Sequence, residues 1–217
     1  MMTKYGYNTI TVVVVLSIVL IILGMMWDHQ VFRIVSISLA VLMLVFTFNF
    51  FRDPERKTPE GEDIIVSPAD GKIILIKTVE ENKYLKSRGT QVSVFMSPLN
   101  VHVNRIPIDG TVEFIEYVRG EYIAAFEDKA SERNERSELG ILSKYGKVFF
   151  TQVAGFVARR IVYDLKIDQK VKMGERFGMI KFGSRVDVIV PDGWKVTVKN
   201  GEIVKAGETI LFQRNAE

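Results

Sequence analysis

Apolar and polar positions divide the chain into two parts with different periods. From Ile10 to Trp27 the run ITVVVVLSIVLIILGMMW is interrupted only by Thr and Ser. From Ile34 to Phe51 the run IVSISLAVLMLVFTFNFF is as clean apart from Asn49. At about 1.5 Å per residue each would span roughly 27 Å as a helix, close to the hydrocarbon thickness of a bilayer. Asp28-His29-Gln30 between them is a polar turn of the size that joins antiparallel helices. The pattern predicts a two-helix transmembrane hairpin over residues 1–51, with helices at about 10–27 and 34–51. The first run is longer than the apolar core of a signal peptide, and no A-x-A-like cleavage site follows Trp27. The other 166 residues are too few to enclose two helices that are apolar all round.

Beyond Phe51 the pattern changes. RDPERKTPEGED (52–63) has two prolines and a charge run and reads as a linker. Short runs rich in Val, Ile and Phe follow, punctuated by Gly, Pro, Asp and Asn: 64–79, 91–96, 110–118, 147–165, 187–191, 194–200 and 202–212. They predict a mainly β (α+β) soluble domain over 64–217. Glu121 to Glu138 is strongly charged and reads as either a short helix or a surface loop.

Composition sharpens this division. The chain has 217 residues, 47% hydrophobic and 25% charged, and a mean hydropathy of +0.14. Residues 1–51 hold only Lys4, Asp28 and Arg33 as charged side chains, so the high hydropathy belongs to the N-terminus. Disorder is excluded by the apolar content. The absence of cysteine removes disulfides, thiol nucleophiles and thiolate metal sites, and two histidines, His29 and His102, are too few for a multi-histidine zinc centre. The balance of 29 basic against 26 acidic residues is too even for a nucleic-acid binder. Lys4 precedes the hairpin and Arg52, Arg56 and Lys57 follow it, while Arg33 alone lies near its loop. Positive-inside bias then places both ends, and the β domain, on the cytoplasmic face of the cell (inner) membrane.

Candidate chemistry is unspecific residue by residue. Ser67-Pro68-Ala69-Asp70-Gly71 has the composition of a tight turn, with Gly71 taking positive φ. His102, in MSPLNVHVNR, is the single histidine outside the hairpin and can act as general acid or base near neutral pH. Arg159-Arg160 can hold a phosphate, but adjacent residues of a strand face opposite ways, so at most one lines a given site. Gly183-Ser184 is a common turn dipeptide.

Taken in order, these stretches are specific. FFRDPER (50–56), VSPADGKI (66–73), VFMSPLNVHVNR (94–105), SERNER (131–136), QVAGFVARRI (152–161), ERFGMIKFGSRVD (175–187) and VKAGET (204–209) resemble phosphatidylserine decarboxylase in the short form of its proenzyme. The resemblance covers the soluble domain and is most diagnostic at GSRVD. It implies that the Ser184 hydroxyl attacks the Gly183 carbonyl and the chain is cut between 183 and 184. It implies also that residue 184 becomes a covalent pyruvoyl group, the electron sink that forms a Schiff base with the substrate amine. No metal or pyridoxal phosphate is then required. By position in the family's motifs, His102 is the acid/base group and Asp70 its orienting carboxylate. Larger members carry a second histidine where this chain has Arg105. Arg105 and Arg159 are candidate contacts for the lipid phosphate, from charge alone. The partners implied are phosphatidylserine, the lipid bilayer, and a heterodimer of the chain's own products, 1–183 and 184–217. The product would be phosphatidylethanolamine.

A reading from another class rests on SPADGKI and VKAGETILF, which also resemble the turns of barrel-sandwich domains in lipoyl carriers and membrane-anchored transport adaptors. Glu127-Asp128-Lys129-Ala130 has the look of a lipoylated-lysine turn. That reading makes the chain a carrier and leaves GSRVD and NVHVNR unexplained.

Overall fold

Unbroken apolar sequence makes helices of Tyr7–Met26 (α1) and Gln30–Phe50 (α2). The computed structural model describes residues 1–61, 63–121, 125, 130–155, 160–181 and 184–215. α2 starts four residues before its apolar run because His29 caps it, Nδ1 accepting from the Phe32 N–H at 3.5 Å. The helices form an antiparallel hairpin. At one end Gly24 lies so close to α2 that a Cβ there would be 3.0 Å from the Ser36 Cβ. At the other the Thr3 N–H donates to the Phe51 carbonyl at 3.0 Å. Ser17, Gly24, Ser36, Ala40, Thr47 and Phe50 are the buried residues of the pair, and aliphatic side chains such as Val12, Ile22 and Leu42 are exposed. Both helices are long and apolar enough to cross a membrane, which suggests membrane association.

The chain divides into two compact units, Met1–Glu55 and Arg56–Glu217, and the second is mainly strand. In order come β1 (Ile64–Val66), β2 (Gly71–Glu81), β3 (Ser87–Met96), β4 (Val103–Arg105) and β5 (Gly110–Val118). A single helical turn, α3 (Ala130–Arg133), falls within the charged segment. Next are β6 (Arg136–Ser143), β7 (Gly146–Val153), β8 (Arg160–Tyr163), β9 (Lys170–Val171) and β10 (Arg176–Lys181). The last four are β11 (Ser184–Pro191), β12 (Trp194–Val196), β13 (Ile203–Val204) and β14 (Ile210–Arg214).

Among the described residues these strands make an eight-stranded curled antiparallel sheet and two three-stranded ones. The orders are β13-β2-β3-β11-β7-β6-β5-β9, β1-β14-β12 and β4-β10-β8. Bulges between Ile73 and Leu75 in β2 and between Val112 and Phe114 in β5 bend the large sheet on both sides of its centre. The mainly β class with barrel-sandwich-like strands is therefore observed. Alternation places Val92, Val94 and Met96 of β3, Val186, Val188 and Val190 of β11, Val148 and Phe150 of β7, and Leu139 and Ile141 of β6 in one core. Phe177 of β10 closes it with its ring edge-on to Phe150, centroids 5.4 Å apart. Burying each such side chain stabilises the fold by about 1.5–3 kcal/mol. A second cluster of Tyr84, Phe149 and Ile189 lies on the opposite face of the sheet. β4, β6, β9 and β10 were not among the strand expectations. β6 begins inside a charged run, and Gly178 interrupts the apolar pattern of β10.

Candidate active site

β11 is the element on which the site is built. It pairs with β3 from Ser184↔Met96 to Pro191↔Gly89 and with β7 from Arg185↔Val153 to Ile189↔Phe149. Ser184, its first residue, is fully buried, and its Oγ donates to the Met96 Sδ at 3.3 Å. Gly183, the other half of the expected cleavage bond, lies outside the described residues, as do Arg159 and residues 127–129 of the lipoyl-like turn.

A buried polar relay converges on Met96 from three further strands. Ser137 Oγ of β6 donates to Gln152 Oε1 of β7 at 2.8 Å, and Gln152 Nε2 donates to Asn104 Oδ1 of β4 at 2.8 Å. With its oxygen so occupied, the Asn104 amide turns its nitrogen to the Pro68 carbonyl at 3.3 Å and the Met96 sulfur at 3.8 Å. Ser137, Gln152, Asn104, Met96 and Ser184 are all fully buried. Gly178 leaves room for the Gln152 amide, since a Cβ there would sit 3.2 Å from Nε2. The relay was not anticipated. Its one sequence signal is Gln152 at an inward position after Val148 and Phe150.

The turn before β2 joins several of the motif blocks in space. Ser67 Oγ donates to the Ala69 carbonyl at 2.7 Å, closing the turn. Gly71 is not in the positive-φ region, contrary to expectation. Glycine is required there because a Cβ would stand 2.1 Å from the Phe95 carbonyl oxygen, where β2 joins β3. Asp70 accepts from Arg56 Nη2 at 2.7 Å on Oδ2 and from the Ala206 N–H at 2.8 Å on Oδ1. The Arg105 N–H donates to the Pro68 carbonyl at 2.9 Å and the Gly207 N–H to the Ser67 carbonyl at 2.8 Å. Arg105 is buried, and its Nη1 donates to the Gly174 carbonyl at 2.8 Å.

His102 immediately precedes β4 and is fully buried. Its Nδ1 lies 2.9 Å from the Asn100 carbonyl oxygen. A carbonyl only accepts, so Nδ1 carries the proton and Nε2 is the basic nitrogen of the neutral ring. Asn100 is itself fixed, its Oδ1 accepting from both the N–H and the hydroxyl of Ser97 at 2.8 Å.

On the other face of β11, Arg185 is wholly buried. Its Nε donates to Asp187 Oδ1 at 2.6 Å and its Nη2 to Ser93 Oγ at 2.9 Å, and Gln91 Nε2 donates to that same hydroxyl at 2.9 Å. Arg185 and Asp187, two apart on one strand, share a face. Sequence reading gave this ion pair no role. It locks β11 to β3 one residue from Ser184.

Buried polar groups are thus fastened around one serine at the start of a central strand. The family model described as phosphatidylserine decarboxylase matches residues 43–212. The phosphatidylserine decarboxylase proenzyme of Chlorobium phaeovibrioides is 45% identical over 97% of this chain and 95% of its own length. That of Chlorobium limicola is 46% identical over 97% and 99%, and that of Chlorobaculum tepidum 48% identical over 83% of each chain. The chain belongs to the phosphatidylserine decarboxylase family.

Proposed function

We propose that the chain cuts itself at Gly183-Ser184 and then decarboxylates phosphatidylserine to phosphatidylethanolamine, a step of phospholipid biosynthesis. The observation that carries this reading is Ser184 itself, buried at the head of β11 with its hydroxyl on a thioether. Sulfur is a weak acceptor, so the hydroxyl proton is lightly held and the oxygen lone pairs remain available for attack.

In the precursor, Ser184 Oγ adds to the Gly183 carbonyl carbon while its proton passes to a base. The amide C–N bond breaks as the ester C–O bond forms. Loss of the Ser184 Cα proton then expels the Gly183 carboxylate and leaves dehydroalanine at 184, from which water displaces ammonia to give a pyruvoyl group. His102 is the base in this reading, because the hydrogen bond at Nδ1 leaves its lone pair on Nε2. Asp70 is the motif's candidate for the orienting carboxylate, whereas the hydrogen bond described at the His102 ring runs from Nδ1 to the Asn100 carbonyl. Arg56 and the Ala206 N–H fix Asp70 in the turn whose Pro68 carbonyl also receives Asn104.

The residues fit a pyruvoyl group at 184, since that position is closed to bulk water and flanked by an ordered amide relay. The group supplies the electron sink for the pair left when carbon dioxide departs. His102 holds the proton that replaces the carboxylate, and the apolar wall of Met96 and Val186 keeps water out. Arg105 and Arg159 are the sequence's candidates for the lipid phosphate. Arg105 is buried, with Nη1 on the Gly174 carbonyl.

The products 1–183 and 184–217 would stay together as a heterodimer. β11 lies between β3 and β7, β13 pairs with β2, and β14 pairs with β1. The apolar hairpin would hold the enzyme in the membrane that contains its diacyl substrate, with the β unit on the cytoplasmic face. The carrier reading is weaker because it gives Ser184 no task. Membranes carrying the wild-type protein should convert labelled phosphatidylserine to phosphatidylethanolamine, and those carrying Ser184→Ala should not. Equal conversion by the two would overturn the proposal.

A further inference from the structure

β13 is one edge of the eight-stranded sheet. Val204 points into the core and is 1% exposed, so Ile203 before it and Lys205 after it point away. Ile203 is 77% exposed, more than any other large apolar side chain described in the β unit. Lys72 of β2 stands opposite Ile203 in register, exposed between the buried Gly71 and Ile73. A Cβ at Gly201 would be 3.8 Å from the Lys72 Cε, so that side chain runs along the 199–202 turn, where Lys199 is also exposed. The exposed Lys57 joins the group. Its N–H donates to Glu208 Oε1 at 3.1 Å, and the Glu208 N–H donates to the Lys205 carbonyl at 3.2 Å.

Four exposed lysines are thus grouped with one isoleucine. Of the two carboxylates in these turns, Glu208 is paired with Arg56 at 3.5 Å and Glu202 accepts the Lys199 N–H at 3.0 Å. None of the four lysines has an ion-pair partner among the described residues. Lysines alone are what a short edge strand carries to deter pairing with another chain. An exposed isoleucine in their midst works against that purpose. An apolar tip with a basic rim suits an anionic lipid surface instead, the tip entering the head-group boundary while the cations meet phosphates. Connectivity points the same way. Lys57 is seven residues beyond Phe50, the last residue of the apolar helix α2, which is at most about 25 Å of extended chain.

We propose that Lys57, Lys72, Lys199, Ile203 and Lys205 form a docking surface for the anionic lipid of the bilayer that holds the hairpin. This goes beyond the decarboxylase reading, which needs only that the enzyme be tethered. The same stretch carries the turn of Asp70. Val204 pairs with Gly71, the Ala206 N–H donates to Asp70, and the Gly207 N–H donates to the Ser67 carbonyl. Docking through β13 therefore brings that turn to the head-group layer, where a diacyl substrate presents its serine.

The chain has no cysteine, so Ile203→Cys can carry a single polarity-sensitive dye in the full-length protein. Ile167→Cys, half-exposed just before β9 at the other edge of the same sheet, is the control. Both labelled proteins are placed in lipid nanodiscs of phosphatidylcholine, alone or mixed with phosphatidylglycerol, an anionic lipid that carries no amine. In the anionic discs alone, emission at 203 should shift to the blue and be shielded from acrylamide. Salt at about 1 M should reverse this, since it shortens the Debye length to about 3 Å. The dye at 167 should report water in both discs. Lys72→Glu with Lys205→Glu should lower the docked-to-undocked ratio about twentyfold or more, because each lysine near such a surface is worth about fivefold. Lys199→Glu with Lys205→Glu, neither in a strand, should act alike. A dye at 203 that reports water in anionic discs overturns the proposal. So does an equal shift at 167, in neutral discs, or in both charge-reversed proteins. A shift in detergent that grows with protein concentration would make this edge a contact between copies, and overturns it too. If the chain does not enter the discs, the hairpin reading falls and the docking surface falls with it.

Discussion

Between α1 and α2 the buried residues are small or polar, Ser17, Gly24, Ser36, Ala40 and Thr47, except for Phe50 at the end of α2, while Val12, Ile22 and Leu42 face outward. In the β unit Val92, Val188, Leu139 and Phe150 are inside. One chain thus follows two burial rules, as expected if its parts meet different solvents. In lipid, burial of apolar area gives helices no reason to associate, and close approach through small residues takes its place. In water apolar burial dominates. The β unit departs from its own rule at one end of the core, where Ser184, Asn104, Gln152 and His102 are all fully buried. Those polar groups are joined to one another, to backbone or, for Ser184, to the Met96 sulfur, which is how a water-solvated fold tolerates them.

The comparison can be broken most severely at Arg185. Replacing it by Met strands the buried Asp187 carboxylate and should cost about 3–5 kcal/mol in urea unfolding of the β unit. A loss under 1 kcal/mol would mean the pair is not desolvated. Next is Leu42→Asp, a charge on the outward face of α2. It should cost about 3 kcal/mol of membrane insertion, read as protein lost from the membrane fraction after an alkaline carbonate wash. Undiminished retention would show that this face does not meet lipid.

The polar end of the core is probed by Asn104→Leu, which leaves Gln152 Nε2 and the Met96 contact without a partner. Stability should fall by about 1–3 kcal/mol and chain splitting should slow about tenfold or more. Gln152→Leu should do the same, and the two together should be less than additive, because they break one relay. Strict additivity would contradict the relay.

The smallest effect is alkaline. Burial, then the hydrogen bond from its Oη to Glu113 at 3.0 Å, pushes the Tyr84 phenol well above its ordinary value. A group raised on folding contributes stability that is whole below its unfolded pKa of about 10 and is lost as pH rises through the folded value. Unfolding free energy should therefore decline above about pH 10, and less steeply in Tyr84→Phe. Identical slopes would remove Tyr84 as the cause.

Much of the fold is legible because each part has a single dominant period. Lipid-compatible helices are uniformly apolar, and strands over one core alternate. The expectation failed where a polar residue occupies an inward position: Ser137 hides the start of β6 among charges. Gly71 was read as a left-handed turn residue, whereas contact with the Phe95 carbonyl excludes its side chain. Such approaches belong to paired strands and leave no local pattern. Ser184 was legible only from the order of motif blocks along the chain. Asn104, Gln152 and the Arg185–Asp187 pair act through strands distant in sequence, so their parts emerge only when β4, β7, β3 and β11 are side by side.

The central claim is that Ser184 ends one chain and begins another. Intact-mass measurement of the purified full-length protein, beside Ser184→Ala, tests it directly. The account predicts two chains from the wild type, residues 1–183 and 184–217, the smaller lacking a free amino terminus and carrying a carbonyl reactive toward hydroxylamine. Ser184→Ala should give one chain of 217 residues. An unsplit wild-type chain in protein that is folded and converts phosphatidylserine would contradict it.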